Sequence, residues 1–394
     1  MSILFYDDSP VFGGHEVMSL LGLEAILTEF SGPVHFMAPS ANDKLCEKVA
    51  SIAVQHPQLT LEKVGWHSSK LEALRNRLQP SRVKVLADRF RKLNPALVVA
   101  IQGNIEHSSL GLHAARRAGI PCLSYIPVPH SNAEMGARFG ALRDLFCAHL
   151  FKLPDAFITI TDEMAHLLKQ QGAVAPIKIV YNGVDIHRFQ SGDAKAACDE
   201  LGLPFEKIRV GVIGRIEFRQ KQQHLLVQAI AADPELAASC HLVFAGDGPD
   251  ITALQDIIRQ HQLSGTVLPW CDPARLYQAL DALVIPSRYE GLPLVMLEAL
   301  ASGTAVLGSD RDGMKDLLPR EWRFEPNSPV ALSAAIRKFI ASGRPAPDSS
   351  LIERVYETMS IESFNRSFSA GVLSHLEPAA SHSRLQGERK PPHN

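Results

Sequence analysis

The sequence predicts an α/β protein built on parallel sheets that carry helices on both faces. Short apolar runs such as residues 3–6 and 97–101 alternate with longer segments of helical periodicity. Such alternation is typical of β-α-β units, in which consecutive strands run parallel. The pattern starts again after a turn at Asn182-Gly183, with a strand at residues 209–214. A chain of 394 residues is long enough for two such units.

Composition and charge exclude several classes of protein. Hydrophobic residues make up 46% of the chain, which is enough for sizeable cores. The formal net charge of -2 argues against a general nucleic-acid binder. No apolar run is long enough for a membrane span, and the acidic start MSILFYDDSP does not fit a signal peptide. The six cysteines are scattered singly, which argues against a disulfide framework or a zinc site and favours a reducing, cytoplasmic location.

A pair of glycines follows the first predicted strand. Gly13 and Gly14 lie between that strand and a helix expected from about residue 15 to residue 29. Glycines at such a junction let the backbone approach a ligand closely, and a helix start offers N–H groups to an anion. The same pair would also fit an ordinary tight turn. His15 and Glu16, in the first helical turn, could face a ligand or cap the helix.

Further polar residues follow later strands of the first half. His130 comes after a strand at residues 120–126, and Asn104, Glu106 and His107 come after the strand at 97–101. Because ligands of parallel sheets bind beyond the carboxyl ends of the strands, these side chains are candidates for a site. A surface loop is the alternative for His130. Residues 157–161 are expected to form the last strand of this half.

A basic stretch spans residues 70–92. It holds eight Lys or Arg residues against two acids, with apolar residues at intervals between them. A basic amphipathic segment of this kind can lie on an anionic membrane surface. An ordinary solvated helix face fits the same pattern.

The second half begins with a strand that leads into a loop rich in cations. Gly214 ends the strand, and Arg215 and Lys221 lie in the loop before the next helix, where Arg219 is a further candidate to reach a phosphate. The forked donors of Arg and the point charge of Lys both suit a phosphate group. Solvent-exposed charges before a helix are the alternative interpretation.

Residues 285–303, IPSRYEGLPLVMLEALASG, form the segment that carries most of the functional signal. A strand end is followed by a polar loop and a short apolar helix, with Pro293 in its first turn and Gly303 as a left-handed cap. Glu298 lies in the second turn of this buried helix and therefore needs a partner. The free N–H groups at the helix start, near Gly291 and Leu292, attract anions. With Glu290 just before the helix, two carboxylates flank an anion site that would suit a diphosphate.

Glu290 and Glu298 lie eight positions apart inside an EGLPLV-type sequence that follows a strand ending in Pro-Ser. This arrangement resembles the signature of retaining glycosyltransferases of family 4, clearly in the second half and more weakly in the first. The resemblance implies the GT-B fold: two Rossmann-like, doubly wound α/β domains face each other across a cleft, and a C-terminal helix crosses back to the first domain. It also implies that Glu290 contacts the transferred hexose and that Glu298 binds the ribose of the nucleotide.

The same resemblance assigns roles to other residues. Arg215 and Lys221 would hold the donor diphosphate, Gly13 and Gly14 would close on its phosphates, and His130 would lie near the sugar and the acceptor. Trp270 follows a strand at the place where the family stacks the nucleotide base, so it could stack on the base or simply pack.

Two positions depart from the family pattern. Gln222 follows Lys221 where the family usually has glycine, and Asp312 lies in a turn that is rich in glycine in the family. Asp310 and Asp312 together could hold a divalent metal against a diphosphate. We expect neither a metal nor another cofactor.

The expected organisation has four parts. Residues 1–180 form an acceptor-side domain, residues 181–358 a nucleotide-sugar domain, residues 359–376 the crossover helix, and residues 377–394 a polar tail that is expected to be disordered.

The expected activity is metal-independent transfer of a hexosyl unit, with retention, from a UDP or GDP sugar to a glycan or lipid-linked acceptor. Such an enzyme would serve polysaccharide or glycolipid synthesis in the cytoplasm, with peripheral contact to the inner membrane face through residues 70–92. A GT-B nucleotide-sugar isomerase of the 2-epimerase type and a non-catalytic nucleotide-sugar-binding protein remain alternatives. A phosphorylase is disfavoured because no cofactor-lysine motif is evident.

Overall fold

The computed structural model describes residues 1–376, so the tail expected at residues 377–394 lies outside the described residues. Two separate parallel sheets organise this part of the chain. None of the helices within residues 1–376 combines the length and the hydropathy needed to cross a membrane.

The first sheet has seven strands in the order β3-β2-β1-β4-β5-β6-β7. Its strands are β1 (Ile3–Tyr6), β2 (Val34–Pro39), β3 (Leu59–Val64), β4 (Leu97–Ile101), β5 (Cys122–Tyr125), β6 (Ala156–Thr159) and β7 (Ile177–Ile179). The helices around it are α1 (Gly14–Glu29), α2 (Asp43–Gln55), α3 (Glu72–Leu78), α4 (Pro80–Leu93), α5 (Ser109–Ala118), α6 (Gly140–Cys147) and α7 (Asp162–Gln170). The central strands are buried on both faces, which is why they read as unbroken apolar runs.

The second sheet has six strands in the order β10-β9-β8-β11-β12-β13. Its strands are β8 (Ile208–Ile213), β9 (Cys240–Ala245), β10 (Gly265–Leu268), β11 (Ala282–Ile285), β12 (Ala305–Ser309) and β13 (Arg323–Phe324). The accompanying helices are α8 (Ala194–Leu201), α9 (Gln223–Ala231), α10 (Pro234–Ser239), α11 (Ile251–Gln260), α12 (Pro273–Ala279), α13 (Leu294–Ala301), α14 (Asp312–Leu317), α15 (Pro329–Ala341) and α16 (Ser349–Thr358).

The last described helix, α17 (Ile361–Leu373), returns to the first sheet and packs against α1. Ser360 caps it by accepting the N–H of Ser363 at 3.2 Å. Phe368 packs edge-on against Tyr125, and a Cβ added at Gly22 of α1 would lie 2.5 Å from the Phe368 ring. The expected GT-B architecture, with two Rossmann-like sheets and a helix that crosses back, is therefore confirmed.

The bounds of several strands and helices differ from simple expectation. Residues 157–161 are not the last strand of the first half, because β7 follows in the segment that we expected to join the domains. In the second sheet the two-residue strand β13 lies outside β12 and forms the edge. Helix α7 is capped by Thr161, whose side chain accepts the Met164 N–H. Pro293 is the N-cap of α13 and precedes its first turn.

Candidate active site between the two sheets

A cavity of about 520 Å³ lies between the two sheets, at the carboxyl ends of their central strands. Each sheet reverses its strand order here, between β1 and β4 in the first sheet and between β8 and β11 in the second. Ligands of open parallel sheets bind at such reversals, because the loops on either side turn away from each other. The loops that follow these four strands supply most of the cavity wall.

The start of α13 faces the cavity. Leu292, Pro293, Leu294 and Val295 line the wall, and Pro293 supplies no side-chain cap for the first N–H groups of the helix. Such uncapped N–H groups are free to bind an anion. At the other end Gly303 has a φ of 75°, which is the expected left-handed cap.

Glu290 and Lys221 meet at the cavity wall. Glu290 Oε1 accepts a hydrogen bond from Lys221 Nζ at 2.5 Å, and both residues line the cavity. Their side chains are 8% and 25% exposed, so the pair is partly shielded from water. The cation is therefore held next to the predicted sugar contact and close to the helix start.

Arg215 lines the same wall but is held more loosely. Its side chain is 58% exposed and lies 3.4 Å from Glu217, so it can turn toward a ligand. Gly214, just before it, has a φ of 125°, and Gly246 of the neighbouring loop has a φ of 140°. A Cβ at Gly246 would lie 2.2 Å from the Gly214 carbonyl oxygen, so glycine lets the two loops approach each other.

The glycine pair of the first sheet lies across the cavity from these cations. Gly13 is the N-cap of α1, and its N–H donates to Glu16 Oε2 at 2.6 Å. Gly14 lines the cavity, and a Cβ added there would meet no atom within 4 Å. Glu16 therefore caps the helix, whereas Gly14 leaves room for a ligand near the helix start.

Asp7, His15 and Glu16 form the one group of metal-capable side chains found within residues 1–376. His15 Nε2 lies 2.8 Å from Glu16 Oε1, so these two residues pair with each other. Burial raises the pKa of the Asp7 carboxyl, which favours its neutral form.

Glu298 lies one turn into α13. Its Oε2 accepts the hydroxyl of Tyr277 at 2.6 Å, which supplies the partner that the sequence required. Burial raises the pKa of the Glu298 carboxyl, although the Tyr277 hydrogen bond works in the opposite direction. Glu298 does not line the main cavity, so its contact with a ribose stays a prediction.

Trp270 is 62% exposed and does not line the main cavity. It follows β10, at the same edge of the second sheet as Gly246. The structure does not pack this ring, which leaves base stacking as the interpretation still open to it.

His130 lies behind the cavity wall and not on it. It is fully buried, so the surface-loop interpretation was wrong, and its Nε2 lies 2.9 Å from Asp312 Oδ1. The other carboxylate oxygen of Asp312 accepts the backbone N–H of Glu290 at 2.8 Å. Burial favours the neutral carboxyl, but the hydrogen bond and charge of His130 and the charge of Arg311 outweigh it and lower the pKa of Asp312.

The Asp310-Arg311-Asp312 segment uses its carboxylates on protein partners. Asp310 Oδ1 binds Arg323 at 2.7 Å, and Asp312 binds His130, Arg311 and the Glu290 N–H. The two aspartates thus serve different neighbours, which gives no support to a shared metal.

Sequence reasoning missed Asn182 as a site residue. We interpreted it only as part of a turn, yet it lines the cavity and its Nδ2 donates to the Leu292 carbonyl at 2.8 Å. Its place between the two sheets was a signal that could have identified it. Tyr289, beside Glu290, also lines the cavity.

The basic stretch at residues 70–92 forms two helices, α3 and α4, which are separated at Gln79, and Pro80 is the first residue of α4. Four of its eight cations pair with carboxylates: Arg75 and Arg82 with Glu72, Arg89 with Glu62, and Arg91 with Asp88. Lys70, Lys84 and Lys92 are exposed. Because half of its cations pair with carboxylates, the stretch and its neighbours carry less net positive charge than the composition of the stretch indicates.

Known protein families match the residues around both sheets. A family model described as Glycosyltransferase Family 4 matches residues 31–188, and one described as Glycosyl transferases group 1 matches residues 207–342. The chain is 30% identical over 179 residues to the putative glycosyltransferase EpsF of Bacillus subtilis (strain 168), covering 43% of this chain and 46% of that protein. It is 36% identical over 181 residues to D-inositol 3-phosphate glycosyltransferase of Nocardia farcinica (strain IFM 10152), covering 40% of each. The chain thus matches less than half the length of these relatives.

Solved structures show the same fold. Anabaena Alr3699/HepE in complex with UDP and glucose superposes with a TM-score of 0.74 at 19% identity, over 95% of this chain and all of that one. The lipopolysaccharide outer core galactosyltransferase WaaB superposes with a TM-score of 0.70 at 17% identity, over 95% and 99% of the two chains. Family models described as glycosyltransferases thus match residues around both sheets, which confirms the predicted resemblance to the glycosyltransferases of family 4.

Proposed function

We propose that the protein transfers a hexosyl unit from a nucleotide diphosphate sugar, with retention at the anomeric carbon, to a glycan or lipid-linked acceptor. The observation that carries the proposal is the Lys221–Glu290 pair at 2.5 Å, beside an uncapped helix start in a cavity between the two sheets. A cation, a carboxylate and free N–H groups in one recess match a diphosphate that is linked to a sugar.

The leaving diphosphate is the group whose charge the site would stabilise. Lys221 lies at the wall, Arg215 is free to turn toward it, and the first N–H groups of α13 point the same way. Stabilising the charge that develops on the leaving group is usually the largest contribution to such catalysis. The departing phosphate oxygen can itself take the proton of the acceptor hydroxyl, so no second carboxylate at glycosidase spacing is required.

Glu290 would orient the sugar. Its Oε1 is bound to Lys221, and its other carboxylate oxygen can accept hydrogen bonds from sugar hydroxyls. Glu298, Trp270 and the Gly13-Gly14 loop complete the proposed donor site, at the ribose, the base and the phosphates respectively. In this scheme the protein supplies the positive charge and no metal ion takes part.

A UDP sugar is the first choice of donor. Anabaena Alr3699/HepE has been solved in complex with UDP and with UDP-glucose, and that chain has the same fold over its whole length. The curated relatives are named as glycosyltransferases, which supports transfer over isomerisation or binding alone.

Peripheral membrane contact by a cytoplasmic enzyme is a further part of the proposal. Lys70, just before α3, and Lys84 and Lys92, on α4, are exposed, and so are Leu78 and Val85 of the same two helices. Flotation with anionic vesicles tests this contact. Binding that is lost when the three lysines are changed to glutamine supports it, and absence of binding removes it.

The experiment for the whole proposal begins with a thermal-shift screen of UDP, GDP and ADP sugars, in buffer with EDTA. The best stabiliser is then incubated with glycan and lipid-linked acceptors, and NMR reports the anomeric configuration of the product. Glu290→Gln should abolish transfer while the affinity for the nucleotide stays within a few fold. Glu235→Gln, which changes a surface acid that is 83% exposed, is the matched control and should be fully active.

Other outcomes would contradict transfer. Conversion of the donor to its 2-epimer without an acceptor would identify an isomerase. Tight donor binding without turnover on any acceptor would favour a binding protein, and Glu290→Gln with wild-type turnover would remove Glu290 from the site.

A further inference from the structure

The loop that carries Glu290 is held from behind by one carboxylate. Asp312 Oδ2 accepts the backbone N–H of Glu290 at 2.8 Å, and the neighbouring Gly313 N–H donates to the Gly291 carbonyl at 2.9 Å. A Cβ at Gly313 would lie 2.4 Å from that carbonyl oxygen. The start of α14 and the Glu290 loop are therefore in close contact, and movement of one must move the other.

The same carboxylate reaches the first sheet. Asp312 Oδ1 lies 2.9 Å from His130 Nε2, which belongs to the loop after β5. Arg311 binds Asp312 at 2.9 Å. It also binds Glu134, which lies between β5 and α6 in the first half of the molecule, at 2.5 Å. The contact between the two halves of the molecule and the placement of Glu290 thus depend on the same side chain.

The backbone of Asp312 is in an uncommon conformation. Its φ is 50°, in the left-handed region that glycine occupies without cost and that other residues rarely adopt. Residues held in such a conformation are concentrated at functional sites, where surrounding contacts compensate for the strain. Here the compensation is the set of bonds to His130, Arg311 and the Glu290 N–H.

His130 does not face the cavity in this arrangement. Its side chain is fully buried and it does not line the cavity, whereas Glu290, two hydrogen bonds away through Asp312, does. We propose that Asp312 is a positioning residue that couples closure of the two domains to the placement of Glu290, and that His130 acts through Asp312. This inference rests on the proposed transferase function and assigns a positioning role within the same site.

The test compares Asp312→Asn with Asp316→Asn. Asparagine keeps the shape of Asp312 and tolerates a left-handed φ, but it removes the charge that holds His130 and Arg311. Asp316 lies on the same helix and also contacts the first domain, where it accepts the Glu163 N–H at 3.2 Å, without any bond to the Glu290 loop. Asp312→Asn should lower kcat about 10- to 100-fold while KM for the donor stays within about threefold, because a displaced contact slows the chemistry more than it weakens binding. Asp316→Asn should match wild type in both parameters.

A double-mutant cycle separates His130 acting through Asp312 from His130 acting on the sugar. If it acts through Asp312, His130→Ala and Asp312→Asn each lower kcat, and the double variant is no slower than the slower single variant. Losses that multiply in the double variant would overturn the proposal, as would an Asp312→Asn enzyme with wild-type kcat.

A second readout needs no turnover and so distinguishes failure of this inference from failure of the transferase proposal. Spin labels are attached at Val54→Cys and Val330→Cys, which are 84% and 79% exposed, with Cys271→Ser to remove the partly exposed native thiol. Asp312→Asn should broaden or lengthen the distance distribution between the labels, and Asp316→Asn should not. A distribution that is unchanged by Asp312→Asn would overturn the coupling, whatever the enzyme assay shows.

Discussion

Gln222 and Asp312, the two residues where this chain departs from the glycines of the family pattern, both have a left-handed backbone. Their φ values are 52° and 50°, the conformation that glycine adopts most easily. The chain thus keeps the backbone shape that the pattern implies while it adds side chains at both positions. Gln222 uses its side chain to bind Asn327 at 2.9 Å, and Asp312 binds His130 and Glu290.

Lys221 is the residue whose loss should slow the chemistry most directly. Lys221→Ala removes the cation beside the predicted leaving group and also leaves Glu290 without its partner. We expect kcat to fall by about 10² or more, as when one preorganised donor to a developing anion is removed. Lys195→Ala is the control, because Lys195 is a surface lysine of the same half that pairs with Asp199. Steady-state assays of both variants that gave equal kcat values would contradict the role of Lys221.

Glu298 should show a trade-off between stability and ligand binding. Burial raises its pKa above the ordinary value of 4.5, so the ionised carboxylate destabilises the folded state as pH rises through and above 4.5. Glu298→Gln keeps an oxygen for the Tyr277 hydroxyl and removes the buried charge. We expect a higher unfolding temperature at pH 7, little change at pH 4, and weaker nucleotide binding. A lower unfolding temperature at pH 7, or unchanged affinity in a calorimetric titration, would contradict this account.

At the scale of single residues, the sequence predicted which side chains line the site better than it predicted which side chains contact each other. Glu290, Lys221 and Arg215 were predicted because their spacing and neighbours carry a local signal, and the structure brings them to one wall. The bond from His130 to Asp312 joins residues 182 positions apart, and no local pattern predicts such a pair. Asp312 was noticed because it departs from the glycine-rich turn and because it forms an Asp-x-Asp pair with Asp310, and neither signal points to His130.

At the scale of elements, the loop before α13 depends on a glycine that meets the first sheet. A Cβ at Gly291 would lie 2.6 Å from Ile160 Cδ1 and 2.8 Å from the Pro127 carbonyl oxygen. The second of these contacts is with backbone and cannot be relieved by a change of rotamer. Gly291 therefore permits the close approach of the two halves around the cavity.

Gly291→Ala should disturb activity more than stability. The added methyl group would push the Glu290 loop away from the first sheet, and we expect kcat to fall about tenfold or more, since small displacements of catalytic groups are costly. Gly65→Ala, at a position where a Cβ meets no atom within 4 Å, is the control. The two variants should unfold at similar temperatures in a calorimetric scan. Equal activity of the two variants would contradict the close-approach argument.

The crossover helix α17 should stabilise the first sheet's side of the molecule. Phe368 is fully buried between Tyr125 and Phe364, and it lies against Gly22 of α1. Phe368→Ala should lower the free energy of unfolding by about 3–5 kcal/mol, the usual cost of removing a buried phenylalanine. Urea denaturation measures this loss, with Val330→Ala, 79% exposed, as the control. A loss no larger than that of the control would mean that α17 contributes little to the core.

Central elements were predictable, and edge elements were not. The strands β1, β4, β8 and β11 are buried on both faces and therefore read as apolar runs. Strand β3 is a half-exposed edge strand with Glu62 and Lys63, and β13 has only two residues, so neither carries a clear signal. The division of α3 from α4 at Pro80 was present in the sequence but was hidden by the uniform charge of residues 70–92.

At the scale of the whole molecule, the two sheets are held together around the cavity by polar contacts. Arg311 binds Glu134, Arg219 donates to the Met135 carbonyl at 3.3 Å, and Asn182 donates to the Leu292 carbonyl. Contacts of this kind can open and close more easily than a large apolar interface. A closed arrangement would exclude water from the donor and limit hydrolysis, whereas an open one would let product leave.

The predicted boundaries at residues 180 and 358 remain predictions of domain organisation. The first sheet ends at Ile179 and the second begins at Ile208, so the join lies within the intervening segment or beside it. The backbone of Val184 bonds to Met359 and Ile361, which brings the two chain crossings between the domains together. Such a pair of adjacent crossings is a suitable hinge for domain closure.

The central claim is that the cavity between the sheets binds a nucleotide diphosphate through Lys221 and the start of α13. Calorimetric titration of UDP into the metal-free protein tests it most directly, because it requires no knowledge of the acceptor. We predict one site per chain, affinity within a few fold of wild type for Glu290→Gln and Lys195→Ala, and a loss of affinity of about tenfold or more for Lys221→Ala, equivalent to about 1.4 kcal/mol or more. Absence of binding by UDP and by every other nucleoside diphosphate, or equal affinities for Lys221→Ala and Lys195→Ala, would contradict the claim.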